Sequence, residues 1–251
     1  MNPSSHFVYQ RVHTLGGKAL HLGTHLEIAA RAFEHIYGVR PAFDERSVAR
    51  RITGFLHTLR TPSRTSCTVM IYLDGSGRSE IFSPSHPAEL EIVYERQLLD
   101  AGYALSPLRP KAVSYEYSIP FGAYPTGFQL SSRTLFDTLA FRHHGATRSV
   151  RRRGDSLVSC GDATIFALRG KTLLTPSTGE GAMETVERGL VMEAAPRARL
   201  TVVEEPIRHS ELKSFDELFF ADAAGITSLS ECDGAKFMSL VAPRLAAALS
   251  R

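Results

Sequence analysis

The sequence contains little lysine, little cysteine and no long apolar stretch. It has five lysines against 24 arginines, so a mechanism that needs a lysine amine has few candidates. Its 3 cysteines are too far apart for a CxxC pair and too few for a disulfide framework, which favours a reducing compartment and predicts a cytoplasmic protein. No segment reaches ~18 uninterrupted apolar residues, so no membrane partner is expected.

An excess of charge of one sign is also missing. Lys plus Arg number 29 and Asp plus Glu number 26, which gives a formal net charge of +3. Nucleic acid is not expected as a partner, because ~6–10 phosphate contacts need a concentrated basic face. The N-terminal segment has no apolar run before a small-residue cleavage site, so no signal peptide is expected. With 43% hydrophobic and 22% charged residues, the composition is that of a globular protein.

The common cofactor and catalytic motifs are absent. The sequence has no glycine-rich dinucleotide or P-loop signature, no HExxH and no GxSxG. No metal site is expected either, because adjacent histidines such as His143 and His144 point in different directions on a helix. The basic run 148–153 is predicted to lie in a solvated loop before a strand. Cys160 is predicted to be a small buried group within a strand.

Periodicity and turn residues predict an α+β fold. Residues 7–22 alternate apolar and polar side chains around a Gly-Gly pair, which indicates a hairpin. Two amphipathic helices follow: the first is capped by Thr24 and ended by Gly38, and the second begins near Asp44 and ends at Pro62. Strands then complete an N-terminal α+β domain of residues 1–120, and they are predicted at 66–75, 79–85, 89–99 and 112–121.

Residues 121–127, FGAYPTG, predict an interdomain linker because they are rich in glycine and proline. A C-terminal α/β domain of residues 128–251 follows. It is predicted to open with a helix from Ser131, closed by Gly145, and to continue with two strands around the Arg169-Gly170 turn. The later elements are predicted as a helix at 181–195, a strand at 199–207, a short helix and strand at 209–222 and a closing helix at 235–250.

Five segments of the second half and one of the first form an ordered series of landmarks. They are HLEI (25–28), FQLSSR (128–133), LVSCGDATIFAL (157–168), GKTLLTPS (170–177), GAME (181–184) and SFDELFFADAAGITSL (214–229). This series resembles the class IV aminotransferases, the fold type IV pyridoxal-phosphate (PLP) enzymes that include branched-chain and D-amino acid aminotransferases and aminodeoxychorismate lyases. The resemblance implies a two-domain α+β fold with a ligand cleft between the domains, and a homodimer.

The resemblance also implies where PLP chemistry would lie. The family's Schiff-base lysine, four residues before an arginine, falls at Gln129, and the acid that faces the pyridinium nitrogen falls near Ser159. The family's asparagine falls at Thr164, and its two phosphate-binding arginines fall at Ile28 and Glu184. An amide can neither form an imine nor act as a base at neutral pH, so PLP, the cofactor that the family implies, is not expected to work here.

A ligand in the cleft is therefore expected to contact residues other than a lysine. The candidates that the resemblance implies are Gln129, Arg133, Ser159, Thr164, Gly181, Ala182 and Glu184, with Arg31 nearby. No residue is assigned a catalytic role.

Three hypotheses remain open. In the first, the chain is a catalytically silent relative that binds a small anionic or amino acid-like ligand, or a partner protein. In the second, it is an active PLP enzyme with an unrecognised lysine, for which Lys111 is nearest in sequence. Alternatively, the cleft performs unrelated chemistry with groups such as Cys160, Asp162 and Ser131–Arg133. A predicted helix start at Ser131 suits an anion.

Overall fold

The computed structural model of the protein describes residues 7–59, 66–74, 90–98 and 102–249. The chain divides into two compact units, and neither is one continuous stretch. The first unit runs to Gly102 and also contains Tyr124–Phe128, whereas the second contains Tyr103–Ala123 and the chain from Gln129. Residues 103–120, assigned to the N-terminal domain from the sequence, lie with the second unit because their strands pair with strands of that unit.

The first unit is an antiparallel sheet with two helices. Its elements are β1 (Phe7–Leu15), β2 (Lys18–Ala19), α1 (Leu22–Tyr37), α2 (Glu45–Thr58), β3 (Ser66–Asp74) and β4 (Leu90–Leu98). The strand order is β2-β1-β3-β4. The predicted hairpin is confirmed, since β1 pairs with β2 across the two glycines. The predicted strand at 79–85 and the predicted helix end at Pro62 lie outside the described residues.

One face of α1 fixes the helix against the sheet. Buried residues at helical spacing join the core cluster of this unit, and they are Leu22, Leu26, Ala29 and Phe33. The helix begins before the predicted cap: His21 precedes it in the left-handed region at φ 51, and Thr24 lies inside the first turn. This earlier start brings Leu22 into the core. Gly38, at φ 73, ends the helix as predicted.

The second unit contains two six-stranded sheets and three α-helices. The helices are α3 (Gly127–His144), α4 (Val186–Ala194) and α5 (Ala242–Leu249). The strands are β5 (Ala104–Leu105), β6 (Lys111–Glu116), β7 (Arg148–Arg153), β8 (Ser156–Cys160), β9 (Thr164–Arg169), β10 (Thr172–Thr175), β11 (Thr201–Glu204), β12 (Ile207–Arg208), β13 (Glu217–Asp222), β14 (Gly225–Ser228), β15 (Glu231–Cys232) and β16 (Ala235–Lys236). The sheet orders are β11-β10-β9-β13-β14-β5 and β12-β8-β7-β6-β15-β16.

Strand β9 joins two layers of core because it is buried on both faces. Ile165 and Ala167 belong to the cluster between the two sheets, whereas Phe166 and Leu168 pack with residues of α4 and α5. Side chains alternate between the faces of a strand, so consecutive residues enter different layers. The unit therefore has three layers, which are the two sheets and a layer of helices packed on one of them.

Three segments of this unit differ from the sequence prediction. The basic run 148–153 is strand β7 rather than a loop, because β6 and β8 pair with it on both sides. Residues 156–175 form three strands rather than two, since Gly161 reverses the chain between β8 and β9. The closing helix starts at Ala242, because Ala235 and Lys236 are held in β16 by pairing with β15.

None of the helices within the described ranges is long and apolar enough to cross a membrane.

Candidate functional site

Gln129 lies in the first turn of α3 and is fully buried. Its amide Nε2 donates a hydrogen bond to the carbonyl oxygen of Gly161 at 2.7 Å. The helix begins at Gly127, ahead of the predicted Ser131, so Ser131–Arg133 lie within the helix and do not offer free N–H groups at its start. Gln129 is thus held by the β8–β9 turn, in an environment that excludes water.

Arg133 binds the same turn one helical turn later. Its Nη1 lies 2.7 Å from Oδ1 of Asp162, an ion pair in which the Asp162 side chain is only 6% exposed. A Cβ atom at Gly161, which has φ 60, would come within 2.8 Å of Cδ of Arg133. The turn therefore requires glycine for two reasons, its left-handed backbone and the close approach of the arginine. Gln129 and Arg133 together dock α3 onto residues 161–162.

Arg151, at the centre of β7, is a buried cation within the basic run 148–153, which was wrongly predicted to be a solvated loop. It is 1% exposed and donates only to neutral acceptors: Nε to Oγ of Ser159 at 3.2 Å, and Nη2 to the carbonyl oxygens of Gly122 (3.0 Å) and Gly181. It forms no ion pair with any carboxylate in the described part of the chain. Burial lowers its pKa to about 10, while Tyr117 opposes this shift and Arg153 adds to it.

Tyr117 places a second unusual polar group beside Arg151. Its ring stacks on Phe136 at a centroid distance of 3.9 Å. Its hydroxyl is buried and has no hydrogen-bond partner among the residues that the structure describes. Burial raises the pKa of Tyr117 to about 12, so the phenol is neutral and available as a donor.

Thr164 connects β9 to the loop that carries the remaining candidates. Its hydroxyl donates to the carbonyl oxygen of Met183 at 3.0 Å and lies 3.2 Å from Oγ1 of Thr185. The loop is fixed further by the backbone N–H of Glu184, which donates to the carbonyl oxygen of Ala123 at 2.8 Å. The Glu184 side chain is half-buried. Thr164 is therefore linked directly to the segment that carries Gly181, Ala182 and Glu184.

Gly181 and Ala182 form the start of that loop. Gly181, at φ 98, ends a short 3₁₀ turn (Thr178–Glu180) that Ser177 and Glu180 cap reciprocally. Ala182 is fully buried and its N–H donates to the carbonyl oxygen of Ser177. Because Gly181 accepts from Arg151, and Arg151 binds Ser159, Arg151 links Ser159 to the 181–184 loop.

Glu187, in the first turn of α4, is a further buried titratable group near this loop. It is 4% exposed, and its Oε1 has no hydrogen-bond partner within the described residues. Burial raises its pKa from 4.5 to about 7, and Asp222 adds to the rise. The same carboxyl helps to raise the pKa of buried Tyr103. The sequence gave no sign of it, because an acidic residue in the first turn of a helix is commonly exposed.

Three further residues named from the sequence are an arginine of the first unit, a lysine of β6 and a cysteine of β8. Arg31 belongs to α1 of the first unit, is exposed and lies 3.6 Å from Glu27. Lys111 is exposed at the start of β6, where its Nζ lies 2.8 Å from Glu231. The prediction for Cys160 is confirmed: it is buried in β8, and burial raises the pKa of its thiol well above the ordinary value, which opposes a thiolate.

Metal ligands do not gather anywhere in the described ranges: no group of three His, Cys, Asp or Glu side chains could hold an ion there.

Known proteins resemble this chain over nearly its whole length. The family model for amino-transferase class IV matches residues 11–232. A branched-chain aminotransferase from the archaeon Thermoproteus uzoniensis, solved with norvaline, superposes with a TM-score of 0.76 at 20% identity, covering 98% of this chain and 85% of that one. The branched-chain aminotransferase of Escherichia coli gives a TM-score of 0.75 at 16% identity, with coverages of 96% and 83%.

A protein of Legionella pneumophila assigned as a 4-amino-4-deoxychorismate lyase gives a TM-score of 0.74 at 10% identity, covering 93% of this chain and 85% of that one. At such identities these three structures bear on the fold, and they confirm the predicted α+β architecture. The match of the family model extends from β1 to β15 and so covers most of both units. The chain therefore belongs to the class IV aminotransferase family.

Proposed function

We propose that this chain keeps the class IV aminotransferase scaffold without PLP-dependent transamination, and that it binds a small anionic or amino acid-like ligand around Gln129. The observation that carries the proposal is the Gln129 amide, which is buried and bonded to the Gly161 carbonyl at 2.7 Å. Gln129 stands where the order of landmarks predicts the Schiff-base lysine. An amide nitrogen is not a nucleophile toward an aldehyde and cannot hold or move a proton at neutral pH.

The residues around Gln129 do not fit PLP in other respects. Ser159 is predicted to face the pyridinium nitrogen, but its hydroxyl is neutral and already accepts from Arg151 at 3.2 Å. A buried guanidinium at that place disfavours a second cation such as a protonated pyridine nitrogen. Glu184 is predicted to stand where an arginine would meet the phosphate, and its carboxylate would repel that group. No reaction step through PLP is therefore assigned.

The distribution of lysines argues against the alternative, an active PLP enzyme with an unrecognised lysine. All five lysines of the sequence fall within the described residues, and each is exposed. A lysine that forms a Schiff base in a closed site needs a desolvated amine with an accessible free-base form. Lys111, the nearest in sequence, is engaged with Glu231.

The charge of the site favours an anionic ligand. Arg151 carries a buried positive charge that no described carboxylate neutralises, and the Tyr117 hydroxyl beside it lacks a hydrogen-bond partner. Burying an unpaired charge is costly, and a bound carboxylate or similar group would reduce that cost by charge-assisted hydrogen bonds. We therefore keep Gln129, Arg133, Ser159, Thr164, Gly181, Ala182 and Glu184 as candidate ligand residues and add Arg151 and Tyr117 to them.

Borohydride trapping tests the loss of PLP chemistry. The purified protein and a branched-chain aminotransferase as positive control are incubated with PLP, scanned for an aldimine absorbance band, reduced and mapped by mass spectrometry. We expect no band and only scattered, substoichiometric labelling of the exposed lysines. A stoichiometric adduct on one lysine, preceded by the band, would overturn the proposal.

A carboxylate screen by thermal shift then tests the ligand, since a ligand at ~100 times its Kd adds ~2.7 kcal/mol of stability. Amino acids and oxo or dicarboxylic acids are the probes, and Arg142→Gln, an exposed arginine at the end of α3, is the control beside Arg151→Gln. We expect a carboxylate to stabilise the wild type and the control but not Arg151→Gln. Stabilisation that is equal in all three proteins would contradict an anion at Arg151.

We also propose that the protein is a homodimer in a reducing compartment such as the cytoplasm. Leu135 and Phe141 of α3 are 57% and 64% exposed, and these two large apolar side chains offer contact area to a second copy of the chain. The three cysteines are free and buried, which supports a compartment where thiols stay reduced.

A further inference from the structure

A cavity of about 440 Å³ lies in the second unit, where the turn after α4 approaches α5. It is lined by three arginines and three alanines, namely Arg197, Ala198, Arg199, Arg244, Ala247 and Ala248. Its volume falls within the ~300–1,000 Å³ that small-molecule sites occupy. None of these residues belongs to the site around Gln129, so the cavity has no part in the function proposed above.

The backbone under the cavity is firmly packed. Helices α4 and α5 and the turn that follows α4 share one core cluster, in which Ala195 and Leu245 are fully buried. Pro196 opens the 3₁₀ turn Pro196–Ala198, and its ring restricts the backbone there. The short side chains of the alanines cannot fill the hollow. Because the backbone there is packed, the arginines project from ordered elements, and less conformational entropy is lost when a ligand binds.

The three arginines carry positive charge without a neutralising partner. All three are exposed, and none forms an ion pair with any carboxylate in the described part of the chain. Other arginines of the second unit are paired, as Arg169 is with Glu211 and Arg188 is with Glu204 at 2.8 Å. Glu193, four residues before Arg197, would be a natural partner across the helix end, but no ion pair of Glu193 forms within the described residues. Three like charges around one cavity repel each other, and an anion between them would relieve that repulsion.

Arg199 takes an unfavourable backbone conformation at this place. Its φ is 61 and its ψ is 39, the left-handed region that suits glycine, and its N–H closes the turn on the carbonyl oxygen of Pro196 at 2.9 Å. Glycine would close the same turn without strain. An arginine there adds a third guanidinium to the cavity at a cost in backbone energy, and such strain tends to collect at binding sites.

We propose that this cavity binds a small phosphorylated compound with at least two negative charges, held by Arg197, Arg199 and Arg244. Guanidinium groups match the oxygens of a phosphate with paired, directional hydrogen bonds. Three such groups exceed the charge of one carboxylate, so the site selects multivalent anions over monovalent ones. The methyl groups of Ala198, Ala247 and Ala248 give the apolar part of the compound a surface to contact.

Calorimetric titration with inorganic phosphate and pyrophosphate tests the proposal at roughly 150 mM salt, where nonspecific surface attraction is screened. We expect saturable 1:1 binding of pyrophosphate that is tighter than that of phosphate. Arg197→Gln and Arg244→Gln should each weaken it at least about tenfold, since each removes a charged hydrogen-bond donor. Arg199→Gly should weaken it similarly while leaving the melting temperature unchanged or raised, because glycine suits the left-handed backbone.

Arg50→Gln is the matched control, because Arg50 is an exposed arginine on α2 of the first unit. It should bind pyrophosphate as the wild type does. Three results would each overturn the proposal: no saturable binding to the wild type, binding that survives the double variant Arg197→Gln with Arg244→Gln, or an equal loss in Arg50→Gln. The double variant leaves the Arg199 turn intact, so the test does not depend on how Arg199→Gly folds. Failure here leaves the proposal for Gln129 untouched, because the two sites share no residue.

Discussion

Replacing Glu187 with glutamine should change how the stability of the protein depends on pH. Glu187 is 4% exposed, and burial raises its pKa from 4.5 in the unfolded chain to about 7 in the folded protein. Between these two values the folded state binds more protons than the unfolded state, so the free energy of unfolding falls as pH rises through this window. Above about pH 7 both states are ionised and the penalty is constant.

The size of the effect follows from the shift. At ~1.4 kcal/mol per pKa unit, the rise from 4.5 to about 7 corresponds to about 3 kcal/mol of destabilisation at alkaline pH. Of this, about 2 to 3 kcal/mol is lost between pH 5 and pH 8, since the group is partly ionised in the unfolded chain at pH 5. Glu187→Gln keeps the shape of the neutral acid and cannot ionise, so its curve should lack this loss.

Urea denaturation of both proteins from pH 5 to pH 8 measures the difference directly. Glu193→Gln is the control, because Glu193 is exposed on the same helix and should leave the pH dependence of the wild type unchanged. If the curves of the wild type and Glu187→Gln run parallel across this range, Glu187 is not a buried, protonated acid and the reasoning fails. Comparing the variants with the wild type cancels the contributions of the other titrating groups.

Two further predictions concern His25 and the α3 face. Burial, with a contribution from His21, lowers the pKa of His25 from 6.5 to about 3. The free energy of unfolding should therefore fall by about 3 kcal/mol between pH 7 and pH 4, because the unfolded chain takes up the proton first. In urea denaturation His25→Gln should lose less stability over this range, and the exposed His57→Gln should match the wild type. Equal losses in all three proteins would contradict the prediction for His25. The double variant Leu135→Glu with Phe141→Glu should sediment as a monomer, whereas the control Arg142→Glu should sediment as the proposed dimer. A wild type that is monomeric at micromolar concentration would exclude the dimer.

Hydrophobic periodicity and turn residues predicted the elements that depend only on residues close together in the sequence. The β1–β2 hairpin, α1 with its final glycine and the β9–β10 turn all follow from period and turn chemistry. The pairing of β7 does not, because a run of arginines resembles a surface segment until β6 and β8 are known to lie on either side. The pairing of a strand with partners far away in the sequence cannot be predicted from a short stretch of residues.

The candidate site shows the same division. The order of landmarks placed Thr164 beside the 181–184 loop, and the structure links them through the Met183 carbonyl. The burial of Arg151 could not be predicted, because two of its three acceptors are the backbone carbonyls of Gly122 and Gly181, and the sequence does not indicate which carbonyls a distant side chain will reach. A usable signal did exist for α5: Pro243 suits the first turn of a helix and argues against a helix that begins at 235.

The discontinuity of the two units bears on how the protein can be divided. A fragment of residues 1–120 would lack Pro125 and Thr126, whose backbone pairs with Tyr9 and Val8 of β1. It would also retain β5 and β6, whose strand partners β14, β7 and β15 come much later in the chain. Unpaired strand edges favour aggregation. Cutting the chain once, after residue 120, would therefore leave unpaired strand edges on both pieces. A first unit that is to fold alone requires residues 124–128 to be grafted onto it.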